Sequence, residues 1–332
     1  GRSPLEAAGM GLKLKKTDSV ARCNMVTLSD EEPYEEKTML DYSADEIPSD
    51  ESAALINDLQ KKLGGGGLHF YPGVSYRHCL VWSDGETGMH LTPPHDIMEK
   101  KIAGYLPRHE LFLRLMKDSH EILKDHPINA KRIARGEKPA NSLWIWGAGT
   151  AASLPPFKEK YGVKGTVIAA VDLLKGIAAC AGMDAPAVPG ATGNIHTNYK
   201  GKKDAAIEAL RNGSDFAYLH IEAPDECGHR YEIENKVKAI ELIDEKVVCP
   251  LLDELKQFGR FRILLLPDHP TPLSLRTHTD EPVPFVLYDS EKKIPSGAAG
   301  YDEEQAKNSG VFFEEGLTLI EKLLSGDLSF ND

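Results

Sequence analysis

The sequence predicts an α/β protein with a mostly parallel sheet flanked by helices, together with a smaller α+β unit. Beyond about residue 95, helical stretches alternate with short apolar runs, which is typical of a sheet covered by helices on both faces. Ahead of that point, strand-like runs enclose one amphipathic helix. The chain has 332 residues, of which 41% are hydrophobic, so it is long enough to bury a real core in about two domains.

We predict three parts along the chain. Segment 1–14 is a remnant of an N-terminal part of the core, 15–94 forms an α+β cap that clamps substrate, and 95–332 forms the α/β metal-binding core. The turn-rich run SDGETGMHLTPPHD places the second boundary near Pro93 and Pro94.

In the cap, residues 19–28 and 74–82 are rich in β-branched and aromatic residues, which predicts strands. Ser49 begins a helix whose apolar residues keep helical spacing from Ala53 to Leu63, and the glycines that follow end it.

In the core, long helices are expected around 108–124 and across 231–256, and VDLLKGIAACAG is a further helix. The expected strands are SLWIW, GTVIAA, DFAYLHIE, FRILLLP and PFVLY. Open α/β sheets bind ligands at the carboxyl ends of their strands, so we expect the chemistry there.

Charge and cysteine content exclude several classes of protein. Lys and Arg number 39 against 51 Asp and Glu, and the net charge of −12 disfavours nucleic-acid and anionic membrane partners. No apolar run is long enough to span a bilayer, and no signal peptide is recognisable. The five cysteines are scattered without a CxxC pair, which indicates a reducing compartment. We therefore expect a cytoplasmic protein, of an oligomeric state that the sequence does not indicate.

The segment EAPDECGHR follows a predicted strand and places Asp225 and His229 four residues apart in a turn that contains Pro and Gly. A carboxylate and an imidazole at this spacing can bind one Mn or Zn ion if the turn is tight. The alternative is an Asp and a His that cap the next helix.

A second group of ligand-type residues follows the next predicted strand. FRILLLP ends in Asp268 and His269, and His278 lies nine residues further on, just before PVPFVLY. Together with Asp225 and His229 they make five potential ligands at the ends of neighbouring predicted strands. That number exceeds one tetrahedral zinc site and suits two cations. Three unrelated surface pairs are the alternative.

Neither glycine-rich segment predicts a nucleotide site. GAGTAAS (Gly147–Ser153) lacks GxGxxG and precedes two prolines, so we interpret it as a structural turn. PGATGNIHTNYKGKK (Pro189–Lys203) lacks the Walker GK[ST] and is interpreted as a polar loop that can contact substrate.

These motifs resemble the alkaline phosphatase superfamily and, more closely, the archaeal type of cofactor-independent phosphoglycerate mutase. The likeness is carried by DECGH, PDHPTP and RTH ahead of PVPF, and by VARCNMVTL, PGVSYRHCLVW and VPGATGNIHTNYKGK in the family's order. It covers nearly the whole chain. The resemblance implies an alkaline-phosphatase-like core with a cap.

The resemblance also implies a metal-dependent isomerase of glycolysis and gluconeogenesis. It would interconvert 3-phosphoglycerate and 2-phosphoglycerate through a phosphoserine, using two divalent ions (Mn, Zn or Mg) and neither 2,3-bisphosphoglycerate nor a nucleotide. One ion would be held by Asp225, His229 and His278, and the other by Asp268 and His269.

Three basic residues are candidates for binding the small phosphorylated substrate. Arg22 and Arg77 lie on predicted cap strands and can present bidentate donors to a carboxylate or phosphate. Lys175 resembles a phosphate-contacting lysine of the family. The alternatives are solvated arginines on a strand face and an exposed lysine on an amphipathic helix.

The family's attacking Ser, and an Asp that binds the second metal, have no counterpart here. The chain begins without Met at GRSPLEA, which resembles the segment after the nucleophile's helix. We therefore expect the natural protein to begin further upstream and these 332 residues to show little or no mutase activity. Two alternatives stay open: another phosphatase or phosphotransferase of the superfamily, and a non-catalytic remnant that binds metal or phosphate.

Overall fold

The computed structural model of the chain describes residues 2–150 and 154–329. It separates into two compact units. Unit 1 comprises Gly1–Leu154 together with Asp172–Cys180, and unit 2 comprises Pro155–Val171 together with Ala181–Asp332. Within the described ranges, no helix has the length and apolar character that crossing a membrane requires.

In the described part of the chain, the α-helices are α1 (Arg2–Gly9), α2 (Ser49–Leu63), α3 (Glu110–Leu123), α4 (Pro127–Ala134), α5 (Phe157–Tyr161), α6 (Asp172–Cys180), α7 (Tyr199–Arg211), α8 (Ala223–Arg230), α9 (Ile233–Ile243), α10 (Cys249–Glu254), α11 (Glu303–Asn308) and α12 (Leu319–Ser325). The strands are β1 (Ser19–Leu28), β2 (Met39–Asp41), β3 (Leu68–Tyr71), β4 (Arg77–Trp82), β5 (Ser142–Thr150), β6 (Gly165–Ile168), β7 (Phe216–Leu219), β8 (Arg262–Leu265) and β9 (Val286–Asp289).

Strand β1 is the centre of an antiparallel sheet in unit 1. It pairs with β2, β4 and β5, and β3 extends the sheet beyond β4. Nine of its ten residues are buried, because the strand has neighbours on both edges and packing on its faces. The predicted strand over 19–28 is confirmed, whereas the one predicted over 74–82 begins only at Arg77.

Helix α2 covers the predicted range and packs against the core of unit 1. Its apolar face buries Leu55, Ile56 and Leu59, which are all fully covered. Acidic residues in its first turn and lysines in its last turn complement the helix dipole. The helix ends where the Gly64 amide donates to the Gln60 carbonyl.

The strand at SLWIW differs from the prediction. It forms β5, which lies antiparallel to β1 in unit 1 rather than in a parallel core sheet. Among the described strands, β6 and β7 form a parallel pair, with an isolated parallel bridge between Thr166 and Asp184, and β8 and β9 form an antiparallel pair. The order of helices and strands along a chain does not reveal which strands pair. The end of the predicted turn GAGTAAS, residues 151–153, lies outside the described residues.

Helices α1 and α6 cross at close range through two glycines. A Cβ on Gly176 would collide with the Leu5 carbonyl oxygen, and one on Gly9 with the Asp172 carbonyl oxygen. Unit 1 therefore includes α6, and it extends past the boundary predicted near residue 94 to residue 154. The assignment of cap and core roles stays a prediction.

In unit 2, the helical stretch predicted across 231–256 is present as α9 and α10, joined by a π-helical segment over Asp244–Val248. Pro250 has no amide proton to donate to the preceding turn, which accounts for the local change of helix type.

Candidate metal centre

Asp225 and His229 lie on helix α8, which begins four residues after β7 ends. The segment was predicted as a turn that contains Pro and Gly, and this was wrong, because DECGH is helical. Residues four apart share one face of a helix, so the helix itself brings the two side chains together. His229 Nε2 is 3.4 Å from Asp225 Oδ2.

Asp268, His269 and His278 lie on the connection between β8 and β9. Because these strands are antiparallel, the end of β8 and the beginning of β9 lie at the same edge of the pair. The ring centroids of His269 and His278 are 3.7 Å apart. His269 Nε2 is 3.3 Å from Asp268 Oδ2, although the Asp268 side chain is largely exposed.

The two groups converge in unit 2. His278 Nε2 lies 3.3 Å from Asp225 Oδ1 and 3.1 Å from His229 Nε2. One ligand atom each from Asp225, His269 and His278 lies within 4.8 Å of the other two. A carboxylate with several imidazoles is a donor set that suits Mn or Zn, so these side chains fit a divalent cation. The structure thus brings four of the five predicted ligands together, with Asp268 beside them.

His229 has a fixed orientation. Its Nδ1 lies 2.9 Å from the carbonyl oxygen of Arg276. A carbonyl only accepts hydrogen bonds, so Nδ1 donates, which leaves Nε2 as the ring nitrogen that faces Asp225 and His278. Histidines that bind metals are commonly held in this way by an outer hydrogen bond.

Thr271 contacts this cluster through Asp225, and Lys236 contacts Thr271. The Thr271 hydroxyl donates to Asp225 Oδ1, and Lys236 Nζ donates to the Thr271 carbonyl oxygen at 2.7 Å. Burial lowers the pKa of Lys236, an effect that the negative charge of Asp225 opposes. Gly228 lies against the same residues, since a Cβ there would be 2.6 Å from the Thr271 carbonyl oxygen.

Sequence reasoning missed His220, Thr271 and Lys236. His220 directly follows β7, and its Nδ1 is buried without a hydrogen-bond partner in the described part of the chain. Burial lowers the pKa of His220, and the negative charges of Asp268 and Asp225 oppose that effect. Its position at a strand end was an available signal, because ligands bind there in such sheets.

The three basic candidates lie in unit 1. Arg22 binds the carboxylate of Glu6, with Nε 2.5 Å from Oε2, and its guanidinium stacks 4.6 Å from the Trp146 ring centre. It is therefore not a simple solvated strand residue. The register of β1 with β4 places Arg77, which is exposed, on the same sheet face as Arg22. Lys175 Nζ is 3.5 Å from Asp172 Oδ1 on α6.

Two family models match the chain. One is described as 2,3-bisphosphoglycerate-independent phosphoglycerate mutase and matches residues 1–129. The other is described as the metalloenzyme superfamily and matches residues 78–325, which include all five predicted ligands. The chain is therefore a member of the metalloenzyme superfamily, and its α/β fold of alkaline-phosphatase type is confirmed at that level.

Individual relatives identify the family within this superfamily. The chain is 48% identical to a probable 2,3-bisphosphoglycerate-independent phosphoglycerate mutase of Geobacter sulfurreducens, over 98% of this chain and 81% of that protein. It is 47% identical to the mutase of Methanosarcina barkeri, over 96% of this chain and 80% of that protein. The chain belongs to the 2,3-bisphosphoglycerate-independent phosphoglycerate mutases, as the motifs predicted.

Solved structures agree with this fold. A protein of Pyrococcus horikoshii superposes with a TM-score of 0.75 at 28% identity, over 100% of this chain and 80% of that one. A cofactor-independent phosphoglycerate mutase of Thermoplasma acidophilum superposes with a TM-score of 0.56 at 23% identity, over 98% of this chain and 81% of that one.

Proposed function

We propose that this chain carries the divalent-metal site of a phosphoglycerate mutase, which interconverts 3-phosphoglycerate and 2-phosphoglycerate. The observation that carries the proposal is the convergence of Asp225, His229 and His278 on one point, with His269 in ring contact with His278. The reaction is proposed because the relatives are named phosphoglycerate mutases.

Two ions are proposed, one held by Asp225, His229 and His278 and the other by Asp268 and His269. When bound, such ions supply Lewis acidity and neutralise the charge of a phosphoryl group in transfer. His269 lies beside both groups, since it is close to Asp225 and His278 on one side and to Asp268 on the other.

Other groups of the chain are proposed to orient the ligands and to bind the substrate. The Arg276 carbonyl keeps Nε2 of His229 directed at the site. Arg22, Arg77 and Lys175 are proposed to bind the carboxylate and phosphate of the substrate, with the substrate displacing Glu6 from Arg22. A cytoplasmic location and the absence of a nucleotide cofactor stay predictions.

Metal binding is tested on the 332-residue chain by titration calorimetry with MnCl₂ and ZnCl₂. We expect binding in the wild type and its loss in Asp225→Asn and His278→Ala, because the first variant loses the charge of a ligand and the second loses the ligand itself. Asp253→Asn is the matched control, since Asp253 on α10 is exposed and pairs with Lys256, which follows that helix. A wild type that binds neither metal, or ligand variants that bind as it does, would overturn the metal assignment.

The chain spans 81% of the G. sulfurreducens relative, so turnover is tested on a fusion of the chain with the part of that relative that it does not match. Conversion of 3-phosphoglycerate to 2-phosphoglycerate is measured in an assay in which enolase consumes the product. We expect activity that EDTA abolishes and Mn²⁺ restores, with none in Asp225→Asn. Release of inorganic phosphate without isomerisation would favour the phosphatase alternative. Metal binding without either reaction would favour a non-catalytic protein.

A further inference from the structure

Thr271 lies at the contact between the helix and the loop that supply the metal ligands. It follows His269 by two residues and is 5% exposed. Its hydroxyl donates to Asp225 Oδ1 on α8, so one short side chain connects the ligand-bearing loop to the ligand-bearing helix. A carboxylate without a proton only accepts hydrogen bonds, which fixes the direction of this one.

The hydrogen bond restricts how Asp225 can present its oxygens. Oδ1 accepts from Thr271 and faces His278 Nε2 at 3.3 Å, while Oδ2 faces His229 Nε2 at 3.4 Å. A change of the Asp225 χ1 rotamer would break the bond to Thr271 and move both oxygens away from the imidazoles. The Thr271 hydroxyl therefore selects the rotamer in which Asp225 faces the other ligands.

Lys236 holds Thr271 in place from a third element, α9. Its ammonium donates to the Thr271 carbonyl oxygen at 2.7 Å, and it approaches that oxygen over Gly228, where a Cβ would be only 2.9 Å from Nζ. A hydrogen bond from a charged donor is stronger than one between neutral groups. The chain of contacts runs from Lys236 through Thr271 to Asp225.

We propose that Thr271 and Lys236 are positioning residues that hold Asp225 in its ligand geometry and thereby raise the affinity of the site for its divalent ion. This inference rests on the proposed function, because it assumes that Asp225 binds a metal. Removal of an outer hydrogen-bond partner of a metal ligand typically weakens metal binding by about 10- to 100-fold. We expect a loss of that size in Thr271→Val and a smaller one, about 2- to 10-fold, in Lys236→Met.

The experiment measures Mn²⁺ and Co²⁺ affinity of the 332-residue chain by calorimetry, together with the visible absorption of bound Co²⁺ and the urea midpoint of unfolding. Thr166→Val is the matched control. Thr166 lies on β6, and its buried hydroxyl is hydrogen-bonded to the Ser214 hydroxyl at 2.7 Å. It loses a buried hydroxyl and some stability without touching the cluster. Thr271→Ser keeps the hydroxyl and is expected to restore affinity and the Co²⁺ spectrum.

The outcomes separate this inference from the proposed function. Weaker binding in Thr271→Val but not in Thr166→Val, with rescue by Thr271→Ser, supports it. A wild type that binds metal and a Thr271→Val variant that binds within twofold of it would overturn the positioning role alone. Equal losses in Thr271→Val and Thr271→Ser would also overturn it, since the hydroxyl would then be irrelevant. A wild type that binds no divalent ion would overturn both.

Discussion

Gly228 sets how closely α8 can approach the loop that carries the histidines, and Gly228→Ala should disturb the site without removing a ligand. A Cβ at this position would lie 2.6 Å from the Thr271 carbonyl oxygen and 2.9 Å from Lys236 Nζ, whereas ordinary contacts begin at 3.4 Å. The Thr271 backbone must therefore move by about 0.8 Å. That shift acts directly on the loop between His269 and His278.

The size of the effect follows from the cost of overpacking, which is about 1–3 kcal/mol for a methyl group forced into a filled space. If the loop moves away in the metal-free chain, metal binding must pull it back, and the affinity falls by about 5- to 150-fold. If the loop does not move, the same cost appears as lower stability. Ala is also favoured over Gly in helices by about 1 kcal/mol, which opposes the loss of stability.

The assay combines Mn²⁺ calorimetry with urea unfolding of the same samples. Gly316→Ala is the control, because a Cβ on Gly316 would meet nothing within 4 Å in its short 3-10 helix. We expect Gly316→Ala to bind Mn²⁺ as the wild type does. A Gly228→Ala variant with unchanged affinity and unchanged stability would refute the reasoning, because the contact with Thr271 would then carry no cost.

Two further predictions concern unit 1. Burial lowers the pKa of His78 to about 3, and since the unfolded chain protonates near 6.5, the stabilising effect is complete above that pH and is lost as the pH falls from 6.5 towards 3. Between pH 7 and pH 5 the free energy of unfolding should fall by about 2 kcal/mol more in the wild type than in His78→Gln. His69→Gln, at an exposed histidine, is the control and should follow the wild type. Equal pH slopes of wild type and His78→Gln in urea titrations would contradict this. The buried Arg132 guanidinium is 2.7 Å from Glu51 Oε2 and donates to the carbonyl of Ala44. Arg132→Met should cost about 1–3 kcal/mol, because the carbonyls of Ala44 and Lys138 lose their donor while Glu51 keeps Arg135. Arg135→Met, at an exposed arginine on the same carboxylate, should change the urea midpoint little. Similar midpoints for the two variants would contradict the difference in burial.

The parts of the fold that depend on local pattern could be predicted from the sequence. Helix α2 and strand β1 follow from apolar spacing, which their own residues specify. The partner of β5 could not be predicted, because strand pairing depends on contacts far apart in the chain. The same limit applies to unit 1, which gains α6 through the contact of Gly176 with α1.

The candidate site divides in a similar way. Ligand-type side chains such as Asp225 and His278 are recognisable by residue type, and their clustering was predicted. Thr271 and Lys236 are not recognisable by residue type, because a hydroxyl and an ammonium suit many surface roles. Only the three-dimensional contacts show which groups they touch. The helical character of DECGH was missed because Pro and Gly favour turns, yet Pro224 occupies the first turn of α8, where its missing amide proton costs nothing.

The close crossing of α1 and α6 has a consequence for how the protein is made. Helix α6 is separated from the rest of unit 1 by residues 155–171, which belong to unit 2. During synthesis, unit 1 therefore cannot be completed until about residue 180 has left the ribosome, by which time β6 has already been made. A fragment that ends at residue 154 would lack the helix whose backbone fits against Gly9, and unit 1 is not a segment that can be cut out as one continuous piece.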